Sequence, residues 1–153
     1  MSSPSGIDPR GPRFVAGITT AVLALVLISG SGWLLAAQAL VFAIGAFVGL
    51  RYSPYSALYR LLVAPRLGPP TEREPVAPVR FAQGVGFAFA VVGAIGYLSG
   101  LTVLGIVATA FALAAAFLNA AFAFCLGCEM YVLLIRLTNR LRQSTSTEQG
   151  ATA

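Results

Sequence analysis

The chain has 153 residues, of which 58% are apolar and 10% charged, and it carries a net charge of +5. A soluble domain carries roughly a quarter of its residues charged, so this composition excludes a water-soluble fold and points to an integral membrane protein. All the basic residues are arginine and histidine is absent, which excludes catalytic imidazole chemistry, a histidine proton switch and the common zinc-hydrolase sites.

Residues 1–13 are rich in Pro, Gly and Ser and predict an irregular head, although the stretch from Asp8 to Arg13 can still order against a neighbour. The uncharged run from Phe14 to Ile28, turned by Ser29-Gly30-Ser31-Gly32, predicts a first span over 14–30. A signal peptide is the alternative for this run, but the nearest cleavage-like site, Ala37-Gln38-Ala39, lies inside the next apolar segment. That segment predicts a second span over 33–50, with Trp33 at the interface and Pro54 stopping helix at Ser53.

Between Tyr55 and Arg66, the residues Leu58, Leu61, Leu62 and Val63 set against Arg60 and Arg66 suit a short amphipathic interfacial helix. Residues 68–75 make a polar, proline-rich loop. A third span follows over 80–98, where Gly84, Gly86, Gly93 and Gly96 permit close helix approach. After the turn at Ser99-Gly100 comes a fourth span over 101–124, expected to continue as helix, disturbed at Gly127, to Leu141. Residues 143–153 are low in apolar side chains and are expected to be a disordered tail. The expected fold class is thus all-α, a four-helix transmembrane bundle occupying 14–142.

An even number of spans places head, middle loop and tail on one side, and every arginine lies in those three segments. The positive-inside rule then predicts a multi-pass protein of the cell membrane with both termini cytoplasmic. Two short matches suggest an internal repeat. Arg13-Phe14-Val15-Ala16-Gly17 resembles Arg80-Phe81-Ala82-Gln83-Gly84, and Tyr55 to Leu61 resembles Tyr131 to Leu137 as Y-x-x-L-x-R-L. Two tandem helical hairpins related by a pseudo-two-fold along the membrane normal would follow, with Gly49-Leu50-Arg51-Tyr52 in the place matching Cys125-Leu126-Gly127-Cys128 and with Arg51, Tyr52 and Ser53 approaching the dithiol across that axis.

Chemistry concentrates in Phe124-Cys125-Leu126-Gly127-Cys128-Glu129, which holds both cysteines of the chain. A C-x-x-C pair facing the cytosol points to redox or metal chemistry, and residues three apart on a helix can close a disulfide with little movement. Arg51, Arg80 and Arg136 are candidate cationic neighbours that would favour a thiolate. Glu129 would raise a thiol pKa by like charge or accept its proton during attack. An unbroken fourth helix would present its negative end here, giving a thiolate no help. Asn119 could line a path to the sulfurs, while Thr19, Thr20, Gln38, Gln83 and Thr109 are expected to hydrogen-bond between helices. Two thiols and one carboxylate fall short of four metal ligands, so no metal or cofactor is expected within one chain, and only a dimer could assemble four cysteines.

On these motifs, and on Asp8-Pro9-Arg10-Gly11-Pro12-Arg13-Phe14, Gln38-Ala39, Ser53-Pro54-Tyr55, Pro65-Arg66 and Asn119-Ala120-Ala121-Phe122, residues 8–141 resemble a family of small bacterial membrane proteins. That family is described as domain of unknown function 4395. Around Glu74-Pro75-Val76-Ala77-Pro78 the family pattern is more basic than this sequence. The resemblance implies an integral membrane protein of undetermined activity, similar in context to thioredoxin-like and sulfurtransferase-type proteins.

The function expected from all this is thiol–disulfide or sulfur exchange by Cys125, Cys128 and Glu129, supported by Arg51, Arg80 and Asn119. Its partners would be the lipid bilayer and a cytosolic thiol or sulfur-carrier protein, with assembly into a homo-oligomer or a larger membrane complex. A nucleic-acid partner is not expected, because such binding needs a basic face on a soluble fold. The rival expectation is a non-enzymatic membrane scaffold or subunit in which the cysteines only pack. Transport would need a polar path, for which the spans supply little beyond Gln38, Thr109 and Asn119.

Overall fold

The computed structural model describes residues 6–150, with side chains as far as Gln143. Residues 1–5 of the expected head and 151–153 of the expected tail lie outside the described residues. The described chain is all-α, in six helices: α1 (Arg10–Ser29), α2 (Gly32–Ala43), α3 (Pro54–Leu58), α4 (Val76–Leu98), α5 (Thr102–Phe122) and α6 (Leu126–Gly150). Short π and 3-10 turns occupy parts of the connection from α2 to α4.

Three of these helices, α1, α4 and α5, are long and apolar enough to cross a membrane. The expected second span is shorter. Its apolar rod runs only over Gly32–Val48, about 25 Å at 1.5 Å per residue, against a hydrocarbon core of about 30 Å. Its last turn, Ile44–Val48, widens to a π-turn, and Gly49 then adopts φ 142°, a conformation that ends the helix. The expected four-helix transmembrane bundle is therefore corrected to three crossings. Sidedness changes with the count: three crossings put the two ends of the chain on opposite faces, which overturns the expectation of both termini cytoplasmic.

With three crossings the chain is not a pair of equivalent membrane-spanning hairpins. α4 and α5 pack along each other across their turn, whereas α1 and α2 scarcely meet. Instead α1 lies along α5, and α2 lies along α4. The buried core joins Leu23 and Val26 of α1, Leu35, Ala39 and Phe42 of α2, Ala90 and Ala94 of α4, and Ala112 of α5. Lipid supplies no hydrophobic drive between helices, so small residues that admit close contact decide the packing. At Gly96 a Cβ would stand 2.6 Å from the backbone nitrogen of Gly105, so α4 and α5 meet backbone to backbone.

Polar groups within the helices are satisfied mostly at home. The Thr20 and Thr109 hydroxyls donate to the Ala16 and Gly105 carbonyls one turn back, at 2.7 Å each, and not across helices as expected. Gln38, only 1% exposed, does reach outside α2: its Oε1 accepts from the Tyr55 hydroxyl at 2.8 Å. This bond ties α2 to α3.

The described part of the head is held against the middle of the chain. Ile7 and Glu74 exchange both backbone hydrogen bonds at 2.9 Å. Asp8 accepts from the backbone N–H of Arg10 and from the Tyr59 hydroxyl, both at 2.9 Å. Helix α1 consequently starts at Arg10, inside the segment expected to be irregular. The helical segment expected between Tyr55 and Arg66 is formed by α3 with the turns Tyr59–Val63 and Ala64–Arg66; it buries Tyr59 and exposes Leu58, Leu61 and Leu62. At the other end, α6 runs to Gly150 and takes in the first residues of the expected tail.

Candidate dithiol site

The site is built where α5 stops. Ala123 takes the left-handed conformation, φ 56°, and is the one described residue other than glycine with a positive φ. Its N–H donates to the Asn119 carbonyl at 3.1 Å, and that of Phe124 to the Leu118 carbonyl at 3.3 Å. This left-handed helix ending is usually a glycine's task, because a Cβ crowds the following carbonyl.

The chain then restarts at once. The carbonyl of Cys125 accepts the first bond of α6, from the N–H of Glu129 at 3.0 Å. Its sulfur accepts the N–H of Cys128 at 3.3 Å. Cys125 therefore occupies the N-cap position, with its sulfur in the place usually taken by a serine or aspartate oxygen. Cys128 falls at the third helical position, and the two cysteines are disulfide-bonded with their Cα atoms 5.2 Å apart. Both are half-buried, and Glu129 is exposed.

The expectation of one helix running on past residue 124 is thus overturned, with a chemical consequence. The dithiol stands at the positive end of α6 and not on a run-on helix presenting its negative end. Free backbone N–H groups and the helix dipole there favour a thiolate.

Two contacts set α6 against α4. Gly127 lies on Ala82 so tightly that a Cβ at 127 would stand 2.6 Å from the Ala82 Cα and Cβ. Four residues on, the ring of Tyr131 packs on Phe81, centroids 5.7 Å apart and tilted by 49°. The disturbance expected at Gly127 is in fact this close approach, and the break lies at Ala123.

The supporting residues are engaged elsewhere. Arg80 caps the orphan carbonyls at the end of the α2 rod, with Nε and Nη2 donating to Ala46 O at 3.0 and 2.7 Å and Nη2 to Phe47 O at 3.2 Å. Arg51 lies over the Tyr52 ring, 5.4 Å from its centroid. It lines a cavity of about 230 Å³ together with Asp8, Ser53, Tyr59 and Arg60. Asn119 contributes its backbone carbonyl to the ending of α5. Among the described residues no hydrogen bond or ion pair joins Arg51, Arg80 or Asn119 to either sulfur, and no group of three or more Cys, Asp or Glu could hold a metal ion.

Two features left almost no trace in the sequence. Ala123 carries no glycine or proline signal of a break. The Asp8–Tyr59 contact joins residues 51 positions apart; a carboxylate and a phenol flanking apolar segments were its only trace. Burial, followed by the Asp8 hydrogen bond and charge, pushes the Tyr59 phenol above its ordinary 10.0.

Fold and site together define an integral membrane protein that presents a C-x-x-C dithiol at the start of a helix. Residues 7–136 match the family described as domain of unknown function (DUF4395), and the chain belongs to that family. No curated protein and no solved structure matches it.

Proposed function

We propose that Cys125 and Cys128 form a redox-active dithiol that exchanges electrons or sulfur with a soluble thioredoxin-like or sulfur-carrier protein. The observation that carries this reading is the placement of the Cys125 sulfur at the N-cap of α6, accepting the N–H of Cys128 at 3.3 Å. That environment favours the thiolate, the form that attacks sulfur.

In the reducing direction, the Cys125 thiolate attacks one sulfur of a partner disulfide. A mixed disulfide forms, and the partner's other sulfur leaves as a thiolate. The Cys128 thiolate then attacks the Cys125 sulfur, closing the Cys125–Cys128 disulfide and releasing the second partner thiolate. The partner gains the two electrons that the dithiol loses. The protons of the two thiols pass to solvent or to Glu129, the adjacent exposed carboxylate. The disulfide-bonded site is the end point of this sequence and the start of its reverse.

The test is capture. Cys128→Ser retains the attacking sulfur and lacks the resolving one, so it should accumulate a mixed disulfide that dithiothreitol releases and that Cys125→Ser does not form. Alkylation of native membranes should show both thiols reversibly protected by oxidant. If neither variant traps a partner and the thiols stay unprotected, the cysteines are packing residues of a scaffold.

A further inference from the structure

We propose that the groove between the end of the α2 rod and the first half of α4 binds one anionic phospholipid. Its acyl chain would lie along Gly84, Val85 and Ala88, and its phosphate would meet the Arg80 guanidinium. This rests on the shape and charge of α4 and is independent of the thiol chemistry.

The groove is a shallow, open depression of about 460 Å³ lined by Phe47 and Phe81 as well as by Gly84, Val85 and Ala88, with Arg80 at one end. Its floor is open by construction, since a Cβ built on Gly84 meets nothing within 4 Å. From Arg80 to Ala88 the groove follows a crossing helix for about 12 Å at 1.5 Å per residue. Arg80 stands in the second turn of that helix, where the span enters the bilayer and arginines meet headgroups.

The guanidinium is held in place before any ligand arrives, because Nε and Nη2 are clamped on the Ala46 and Phe47 carbonyls. Among the described residues Nη1 donates to nothing, and no carboxylate pairs with Arg80. A fixed cation with a free donor edge above an apolar channel matches a phosphate joined to a hydrocarbon tail. A neutral isoprenoid would fill the channel and leave the cation without a counter-charge, so charge complementarity favours the phospholipid.

The test uses the full chain purified in mild detergent, delipidated, and titrated with phosphatidylglycerol or phosphatidylcholine while native mass spectrometry counts bound lipid. Wild type should retain one phosphatidylglycerol in preference to phosphatidylcholine. Gly84→Leu fills open space, so its melting temperature should hold while the bound lipid is lost. Arg80→Gln should weaken phosphatidylglycerol about fivefold, the share of one arginine near an anionic headgroup, and erase the preference. Equal retention of the two lipids by wild type, or unchanged retention by a folded Gly84→Leu, overturns the proposal. Displacement of the lipid by an uncharged isoprenoid would do so as well.

Discussion

Gly127 and Ala82 are in backbone contact across α6 and α4: the hydrogen at Gly127 occupies a place where a Cβ would stand 2.6 Å from the Ala82 Cα. Since the atoms met are a Cα and its Cβ, no flexible side chain can move aside. Gly127→Ala should push α6 off α4 and lose about 1–3 kcal/mol, the usual penalty for overpacking. It would be read as a lower melting temperature in detergent together with faster alkylation of the reduced thiols. Gly84→Ala is the control. With nothing near its added methyl it should gain up to about 1 kcal/mol, the ordinary advantage of alanine in a helix.

Ala123→Gly tests the break itself. A left-handed alanine is strained by roughly 1–2 kcal/mol, so glycine there should raise thermal stability. Were α5 and α6 one continuous helix, the same substitution would lower stability by about 1 kcal/mol. The sign of the shift in melting temperature decides between the two arrangements.

The N-cap position of Cys125 predicts unequal thiols. In reduced single-cysteine variants, the sulfur left in Cys128→Ser should alkylate rapidly at lower pH than the sulfur left in Cys125→Ser. The helix N-terminus stabilises the capping thiolate more directly. Stopped-flow alkylation across pH 5 to 10 measures it, and coincident profiles would remove the assignment of Cys125 as the attacking sulfur.

Tyr59 should make stability fall in alkali. Its phenol is pushed above 10.0 by burial first and by Asp8 second, so the folded protein holds the proton more tightly than the unfolded chain. The contribution is fully present below the unfolded value and is lost as pH rises through the folded one. Thermal melts from pH 8 to 11.5 should show this decline, and Tyr59→Phe should reduce it, leaving the share of Tyr55, whose phenol is also raised by burial. Asp8→Asn should make the decline smaller and end it at lower pH, because the carboxylate charge that resists phenolate formation is gone.

Sequence was enough where a local rule sufficed. Composition identified a membrane protein, Gly30 and Gly100 marked turns that the chain makes with positive φ, and the cysteine spacing marked a pair that is close enough to be disulfide-bonded. It was not enough where distant segments choose between local options. The run from Trp33 to Leu50 is apolar enough to be taken for a span, but Gly49 and the Arg80 cap on the Ala46 and Phe47 carbonyls end its rod early. The run from Leu101 to Leu141 holds nothing to stop a helix at Ala123. The stop turns α6 so that Gly127 meets Ala82 on α4, a contact between distant segments.

What the sequence settled by itself is set by solvent: so many apolar side chains and so few charges can be stable only in lipid, as helices that satisfy their own backbone. What the tertiary structure decided is which end of which helix faces the sulfurs. A C-x-x-C pair inside a continuous helix and one opening a new helix have the same sequence. This chain takes the second form: the pair opens α6, which lies against α4, and the Cys125 sulfur accepts the Cys128 N–H at that helix start.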